Sequence, residues 1–438
     1  MKRLVICMVL LTNAVNVLGA DTDLDVYGKI NLGIWYFSPQ RYYDDTSLVT
    51  IDTIIGNDTI KSVEYGQVDS MDLVISNWIP FGAFGVKYNG DKFGVCVQMG
   101  TRLAMDDYHF NGSFSFPKTQ KDIRDYITLS KWYIEWYIND NLTLLAGKNL
   151  APTNFFPSNQ LFFGGYGFNN TGCLSTGAYP MFQLTIASSN ENVKGKLAVI
   201  KVDTTAIAVR NSSNKGDDHQ CSVKIPKLEG GFSYSFEKGI FSTYGNFAGG
   251  FQTYEVVLFQ DSGTNMVTSV PDKDDRYLDI TSYVIGGDIG FSLGPVSISV
   301  DALYGQNLGI YGAFVGDQFG YWRTRDYMTV FFPYHSENPH DSTGWVLLDG
   351  TAFEIATVLK IKPKEFISFE GGVGMVFGDH EFHEYSVRFE NSFAWYFQTE
   401  LTVFETLKFT PEVGEYNFGP LKYWGRYFYW GMNMGIDF

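Results

Sequence analysis

The chain contains little cysteine and, beyond its first 20 residues, no long apolar run. Four cysteines in 438 residues, one of them in the first segment, exclude a small scaffold held together by disulfides. No later stretch approaches the ~18 consecutive apolar residues that a membrane-spanning helix needs. The first segment, MKRLVICMVLLTNAVNVLGA, has two basic residues, an apolar stretch and a small-residue end. It predicts a signal peptide over 1–20 and a single mature domain over 21–438.

The sequence is also poor in signals for catalysis and metal binding. No His-Glu-x-x-His motif and no phosphate-cradling glycine motif is present. His380 and His383 stand among acidic residues, but their spacing is a weak metal signal and favours a solvated loop. We therefore predict no enzyme activity, no catalytic residue, no metal site and no cofactor.

Basic residues are in deficit, with 32 Lys and Arg against 48 Asp and Glu, and the formal net charge is -16. This balance argues against nucleic acid as a partner. What the chain does have is 17% aromatic residues and 46 glycines. That composition suits strands with one apolar face better than apolar helices.

The segment FYWGMNMGIDF at the end of the sequence shows a period of two. Large apolar residues from Phe428 to Phe438 alternate with small, polar or charged ones. Such a period predicts a β-strand whose two faces meet different environments. The same pattern predicts sixteen strands: 24–36, 69–88, the second arm of 84–105, both arms of 126–148, 179–189, 195–204, 226–237, 240–252, 279–293, 296–307, 348–361, 365–377, 386–404, 407–417 and 421–438.

The connections between these segments alternate strictly between short and long. The short ones are NGD, NDN, NENVKG, FEKG, LGP, KPK and ETL, and the intervening ones are mostly much longer. Short turns at one end and long loops at the other are typical of a transmembrane barrel with an even strand number. The fold prediction is therefore all-β: an antiparallel transmembrane barrel of about 16 strands, with its last strand paired to its first.

These features together resemble the Gram-negative outer-membrane porins of the sixteen-stranded general type. The resemblance is carried by the signal peptide, the opening strand DVYGKINLGI, the terminal aromatic and the hairpin WYIEWYINDNLTLLAGKNL over 132–150. It implies an exported homotrimer in the outer membrane, in contact with outer-membrane lipid and passing small hydrophilic solutes and ions. It also implies that Phe438 serves the barrel-assembly machinery and that the third outer loop folds into the lumen.

That third loop, 151–178, contains no charged residue, whereas many of the porins it resembles place acids there. It is instead rich in aromatic residues: Phe155, Phe156, Phe162, Phe163, Tyr166 and Phe168. One interpretation is that these rings pack the loop against the inner wall. The other is an aromatic constriction for sugars or similar solutes, which would make the protein a substrate-specific channel.

Strand parity predicts which charges line the pore. The predicted basic set is Lys29, Lys87, Arg102, Lys131 and Lys148. The predicted acidic set is Glu135, Asp288, Asp301, Glu354, Glu370 and Glu400. Opposed walls of charge would orient dipolar solutes, and we expect a mild cation preference. The alternative is that these charges pair with neighbours and fill space.

Two cysteines fall in predicted outer loops of an exported chain. Cys173 and Cys221 are either bonded, which would fix the third loop, or two free thiols. Cys96 is predicted to face inward alone. A last alternative for the whole protein is a non-conducting barrel that acts as a structural or adhesive surface protein through loops one and six.

Overall fold

The structure of the protein is a computed structural model. It describes residues 24–40, 50–55, 58–63, 72–76, 83–103, 125–155, 158–161, 178–190, 192–201, 221–257, 277–308, 332–333, 345–346, 351–379, 392–417 and 426–437. For 30–40, 50–55, 58–63, 72–76, 101–103, 125–128 and several strand ends, the structure describes the backbone alone. In the described ranges, no helix is both long and apolar enough to cross a membrane.

Sixteen barrel strands follow one another along the chain. Their bounds are β1 Leu24–Gln40, β2 Asp72–Ser76 continued by Ala83–Asn89, β3 Phe93–Leu103, β4 Asp125–Asn139, β5 Leu142–Leu150, β6 Ala178–Ala187, β7 Val193–Ile200, β8 Cys221–Lys238, β9 Phe241–Val257, β10 Tyr277–Leu293, β11 Val296–Gln306, β12 Thr351–Lys364, β13 Ile367–Asp379, β14 Ser392–Val403, β15 Leu407–Asn417 and β16 Arg426–Asp437. Both segments of β2 pair with β1, each with a different part of it. Two short hairpins, Thr50–Ile55 with Asp58–Val63 and Phe332–Pro333 with Trp345–Val346, lie in long connections.

Every barrel strand is antiparallel to the strands beside it, and the sheet closes on itself. Strand β16 pairs with β1 in a register that begins with Asp437 opposite Lys29. Closure satisfies the backbone groups of both terminal strands, so the sheet has no edge. The predicted sixteen-stranded antiparallel barrel is confirmed.

The connections sort by length onto the two ends of the barrel. Turns of two to five residues join β2 to β3, β4 to β5 and each later pair up to β14 and β15. Gly239 and Gly294 have φ of 62° and 56° in two of these turns, a conformation that glycine adopts without steric cost. The other end carries the long connections, such as 151–177 and 307–350.

The two faces of the sheet differ as the period of two requires. Outward residues in the middle of the strands are apolar and exposed, for example Phe182 at 66%, Ile285 at 64% and Ile134 at 57%. Inward residues include glutamate, aspartate, glutamine and lysine. An apolar outer band around a polar interior is the arrangement that hydrocarbon outside and water inside would favour.

Candidate functional site

The connection between β5 and β6, residues 151–177, is called the crossing loop here. It leaves the wall inward, because its first residue joins an apolar cluster on the inner face. Ala151 packs with Leu145, Met181, Ala198 and Ile200, all of them at most 5% exposed. These side chains come from β5, β6 and β7, so three strands fix the direction in which the loop sets out.

The near anchor of the crossing loop is Glu229 on β8. The backbone N–H and the hydroxyl of Thr153 donate to the same carboxylate oxygen, at 3.0 and 2.8 Å. The ammonium nitrogen of Lys227 lies 2.6 Å from the other oxygen. All three residues are at most 1% exposed. Charge-assisted bonds of this kind are stronger than neutral ones, above all away from water.

The first far anchor is Glu370 on β13. Asn159 donates to it from both its backbone N–H and its side-chain nitrogen, each at 2.7 Å. The hydroxyl of Tyr396 donates to the same carboxylate at 2.7 Å, and the hydroxyl of Ser158 donates to Tyr396 at 2.7 Å. One carboxylate therefore holds two consecutive loop residues, one directly and one through a tyrosine.

The second far anchor lies beside it, on β15 and β16. The side-chain nitrogen of Gln160 donates to the hydroxyls of Tyr416 and Tyr429, the latter at 2.6 Å. The two tyrosine rings stack with centroids 5.4 Å apart. Tyr429 donates to Glu412 at 2.7 Å, and the other oxygen of Glu412 accepts the backbone N–H of Leu161 at 2.9 Å. The whole group is buried or nearly so.

The crossing loop thus spans the interior of the barrel. Thr153 is held at β8, and residues 158–161 are held at β13 to β16. The anchors follow one rule, in which neutral donors on the loop bond to carboxylates and tyrosine hydroxyls on the wall. This explains the absence of charge from the loop sequence, since the acids that fix it belong to the strands. The prediction that the third loop folds into the lumen is confirmed.

Similar solved structures share this architecture over nearly their whole length. The outer membrane channel DcaP of Acinetobacter baumannii aligns with a TM-score of 0.56 at 12% identity, over 96% of this chain and 98% of that one. OprB of Pseudomonas putida aligns with a TM-score of 0.51 at 9% identity, over 95% of each chain. The anion-selective porin of Comamonas acidovorans aligns with a TM-score of 0.50 at 8% identity, over 95% of this chain and 100% of that one.

The chain has the fold of the outer-membrane porins. No protein-family model and no curated protein matches its sequence. At identities of 8 to 12%, the likeness concerns the porin fold and not a particular solute or ion.

Of the aromatic residues predicted in the crossing loop, the structure describes Phe155 alone. Its ring is buried, with 4% of the residue exposed, and does not present a surface to the water of the lumen. The other five, Phe156, Phe162, Phe163, Tyr166 and Phe168, lie outside the described residues. The choice between packing and an aromatic constriction therefore stays a prediction.

The predicted acidic residues all lie on inward parity, but most are withdrawn from solvent. Asp288 is 3% exposed, Asp301 and Glu354 are 0% exposed, and Glu370 is 3% exposed. Glu135 and Glu400 are half-buried. Asp288 stands directly opposite Asp301 in the ladder and accepts a bond from Asn246 at 2.7 Å. In this porin fold the acidic wall is a buried layer more than an accessible surface.

Of the predicted basic residues, three face the lumen in the described part. The register places Lys29 on β1, Lys87 on β2 and Lys131 on β4, in line with other inward residues such as Tyr27 and Gln98. Lys29 is exposed, and the other two are half-buried. The side chain of Arg102 lies outside the described residues.

The pore-lining assignment of Lys148 was wrong. Lys148 stands opposite Trp132 on β4 and Pro180 on β6, which face outward. Its ammonium nitrogen donates to the backbone carbonyl of Leu129 at 3.1 Å. The physical reason is the register of β4 and β5: Ile134 pairs with Ala146 on the outer face, and two residues further on Lys148 keeps that parity.

Several residues of the site were missed by sequence reasoning, although strand parity marks them. Glu229 and Glu412 lie on inward positions of the predicted strands 226–237 and 407–417. Lys194 and Lys196 on β7 also face inward, opposite Ala187 and Thr185. Nothing in the sequence pattern distinguishes the acids that hold the crossing loop from those that do not.

One sequence motif needs its structural context. Residues 290–294, GFSLG, match the Gly-x-Ser-x-Gly motif of a nucleophile elbow. Such an elbow requires a sharp turn from a strand into a helix. Here Ser292 sits in the ladder of β10, opposite Ser297 of β11, and the turn at 294–295 leads into another strand. This segment is a β-hairpin and does not form an elbow.

The remaining predicted residues lie outside the description. They are Cys173, the side chain of Cys221, His380, His383 and Phe438. Cys96 is a free, buried cysteine on β3. The question of a disulfide between the third and fourth loops therefore stays open.

Proposed function

We propose that the protein is an outer-membrane porin that forms a water-filled channel for passive diffusion of small hydrophilic solutes. The observation that carries the proposal is the crossing loop, which is bonded to opposite walls of a closed sixteen-stranded barrel. A loop fixed in this way crosses a lumen and narrows it. A barrel that served only as a surface scaffold would not require it.

Several finer parts of this function rest on the resemblance. These are export by the segment 1–20, insertion by the barrel-assembly machinery through Phe438, and assembly as a homotrimer. Lipid contact is supported by the apolar outer face. The sequence-based cation preference depended on accessible acids, and four of its six acids are at most 3% exposed. The proposed function therefore includes no cation preference.

The test is the conductance of the refolded protein in a planar lipid bilayer. Stable steps of conductance, grouped in threes for a trimer, are expected. Absence of conductance from protein that has refolded into a heat-modifiable barrel would contradict the proposal and favour a structural or adhesive barrel. Saturable block by a sugar or another solute would instead favour a substrate-specific channel with an aromatic constriction.

A further inference from the structure

Most of the accessible charges on the inner wall of β1 to β7 are lysines, with Asp25 opposite Lys87 and Glu135 on the inward face of β4 as the acids among them. Lys29, Lys87, Lys131 and Lys196 lie on the inward faces of β1, β2, β4 and β7. Lys29 and Lys196 are exposed, and Lys87 and Lys131 are half-buried. In the described part of the chain, none of these four ammonium groups has a carboxylate oxygen within 4.0 Å. They are called the lysine face below.

The acids of the opposite wall are engaged or covered. Glu229, Glu370 and Glu412 each accept hydrogen bonds from the crossing loop. Asp301 and Glu354 are 0% exposed. A permeating cation would have to displace loop donors or enter a buried layer to reach any of them.

The crossing loop is what separates these two sets of charge. Its described residues are bonded to β8 and to β13–β16, the strands that carry the bonded acids. The lysine face belongs to the strands β1 to β7, which in the described residues hold the loop only through the apolar cluster around Ala151. Water and solutes that pass the loop on this side meet ammonium groups.

Resting on the proposed function, we infer that solutes pass along the lysine face and that this face makes the channel favour small anions, including solutes with carboxylate or phosphate groups. An ammonium group can replace part of the hydration shell of an anion that it touches. One unit charge at a distance of ~7 Å in water changes the local concentration of a monovalent ion about two- to threefold. Several such charges along one path act in the same direction.

The net charge of the whole chain, -16, favours the opposite preference, for cations. At physiological ionic strength, exposed charges further than about 8 Å away are largely screened. Solutes meet the lysine face inside the channel, where salt screens these charges least. We therefore expect the local charge to determine the preference.

The experiment is the reversal potential of the full-length refolded protein in a planar bilayer under a gradient of KCl, repeated with potassium acetate and potassium phosphate. The wild type is expected to pass chloride more readily than potassium. The triple variant Lys29→Gln, Lys87→Gln, Lys131→Gln should lower this ratio by at least about two- to threefold, because each charge attracts the anion and repels the cation. Replacing the same three residues with Arg keeps the charge and should preserve the ratio.

A matched control removes the same charge from the turn end of the barrel. The variant Lys92→Gln, Lys238→Gln, Lys362→Gln alters three exposed residues at or beside the turns. It should leave the ratio near its wild-type value. An equal effect of the two triple variants would overturn the inference, because it would assign the preference to overall charge.

The outcomes also separate this inference from the proposed function. Conductance with a potassium preference that the first triple variant does not change would overturn the inference and leave the diffusion channel intact. A folded wild-type barrel without conductance would overturn both. If the Gln variant fails to refold, the Arg variant and the wild-type reversal potentials still decide the sign of the preference.

Discussion

Glu370 is the residue on which the far side of the crossing loop depends most directly. Its carboxylate accepts two bonds from Asn159 and one from Tyr396, and the side-chain nitrogen of Gln398 lies 3.2 Å away. Hydrogen bonds to a charged group are each worth about 1.5–3 kcal/mol, and most of this is lost when the acceptor is removed. The loop keeps its other anchors.

We predict that Glu370→Ala weakens docking of the crossing loop by roughly 3 kcal/mol, through the two bonds from Asn159. The expected result is a larger single-channel conductance with more frequent fluctuations, because residues near 159 leave the wall part of the time. Glu400→Gln is the control, as it removes an inward charge on β14 that makes no bond to the loop in the described residues. Unchanged conductance in Glu370→Ala would show that this bond does not set the width of the channel.

Gly414 supports the second far anchor through its missing side chain. A Cβ at this position would collide with the ring and hydroxyl of Tyr429 and with the backbone oxygen of Trp395. We predict that Gly414→Ala displaces the hydroxyl that bonds Gln160 and Glu412, and destabilises the barrel by about 1–3 kcal/mol, as overpacking does. The check is the temperature at which the folded form is lost in heat-modifiable gel mobility.

The control for this variant is Gly371→Ala, on the outer face of β13. There an added Cβ would meet only a ring carbon of Phe397 at 3.6 Å and a backbone oxygen at 3.4 Å. It should unfold within a few degrees of the wild type. Equal loss of stability in both variants would mean that strand glycine as such, and not the space under Tyr429, is responsible.

The sequence predicted on which face of the sheet most single residues lie, but it did not predict how deeply they are buried. Parity assigned Lys29, Asp288 and Glu354 to the inner face, because a strand leaves a side chain only two directions. Burial could not be predicted, since the two-residue period that turns Glu354 inward does not show that the residue is 0% exposed. The assignment of Lys148 to the pore was wrong because the parity of 142–148 was ambiguous around two successive leucines.

At the scale of elements, the crossing loop is held at two ends by independent groups of bonds. The near anchor uses Thr153 and the far anchors use residues 158–161, so either end can keep the loop inside while the other is free. We therefore expect the effect of weakening one anchor on conductance to depend on whether the other anchor is intact.

A double-mutant cycle tests that coupling. Thr153→Val removes the hydroxyl donor to Glu229, and Glu370→Ala removes a far acceptor. We predict that each single variant raises the conductance modestly and that the double variant raises it by more than the product of the two effects. Single-channel recording and the swelling of proteoliposomes in a larger sugar are the measurements. Strictly multiplicative effects would show that the two ends act separately.

The strands were predictable as elements, whereas the path of the loop was not. A period of two over ten or more residues, with short turns between, marks each hairpin locally. The loop's position depends on pairs far apart in sequence, such as Asn159 with Glu370 and Gln160 with Tyr429. The resemblance to porins supplied the expectation of an inward loop, and the bonds that hold it there became visible only in the structure.

At the scale of the whole molecule, the apolar outer face makes a prediction about depth in the membrane. Val296 and Val300 are outward residues on β11, 41% and 38% exposed. Val296 adjoins the turn at 294–295, and Val300 lies near the middle of the strand. Both positions offer the same side chain on the same face, and they differ in distance from the turn end.

We predict that Val300→Arg destabilises the barrel by about 2–4 kcal/mol and Val296→Arg by about 0–1 kcal/mol, the costs of arginine at the midplane and near the interface of a bilayer. The measurement is reversible unfolding by denaturant in phospholipid vesicles. In detergent micelles, where depth within a bilayer does not apply, the destabilisation by the two variants should become similar. Equal costs in vesicles would show that the middle of β11 does not lie in hydrocarbon, which would remove the physical basis for placing this barrel across a membrane.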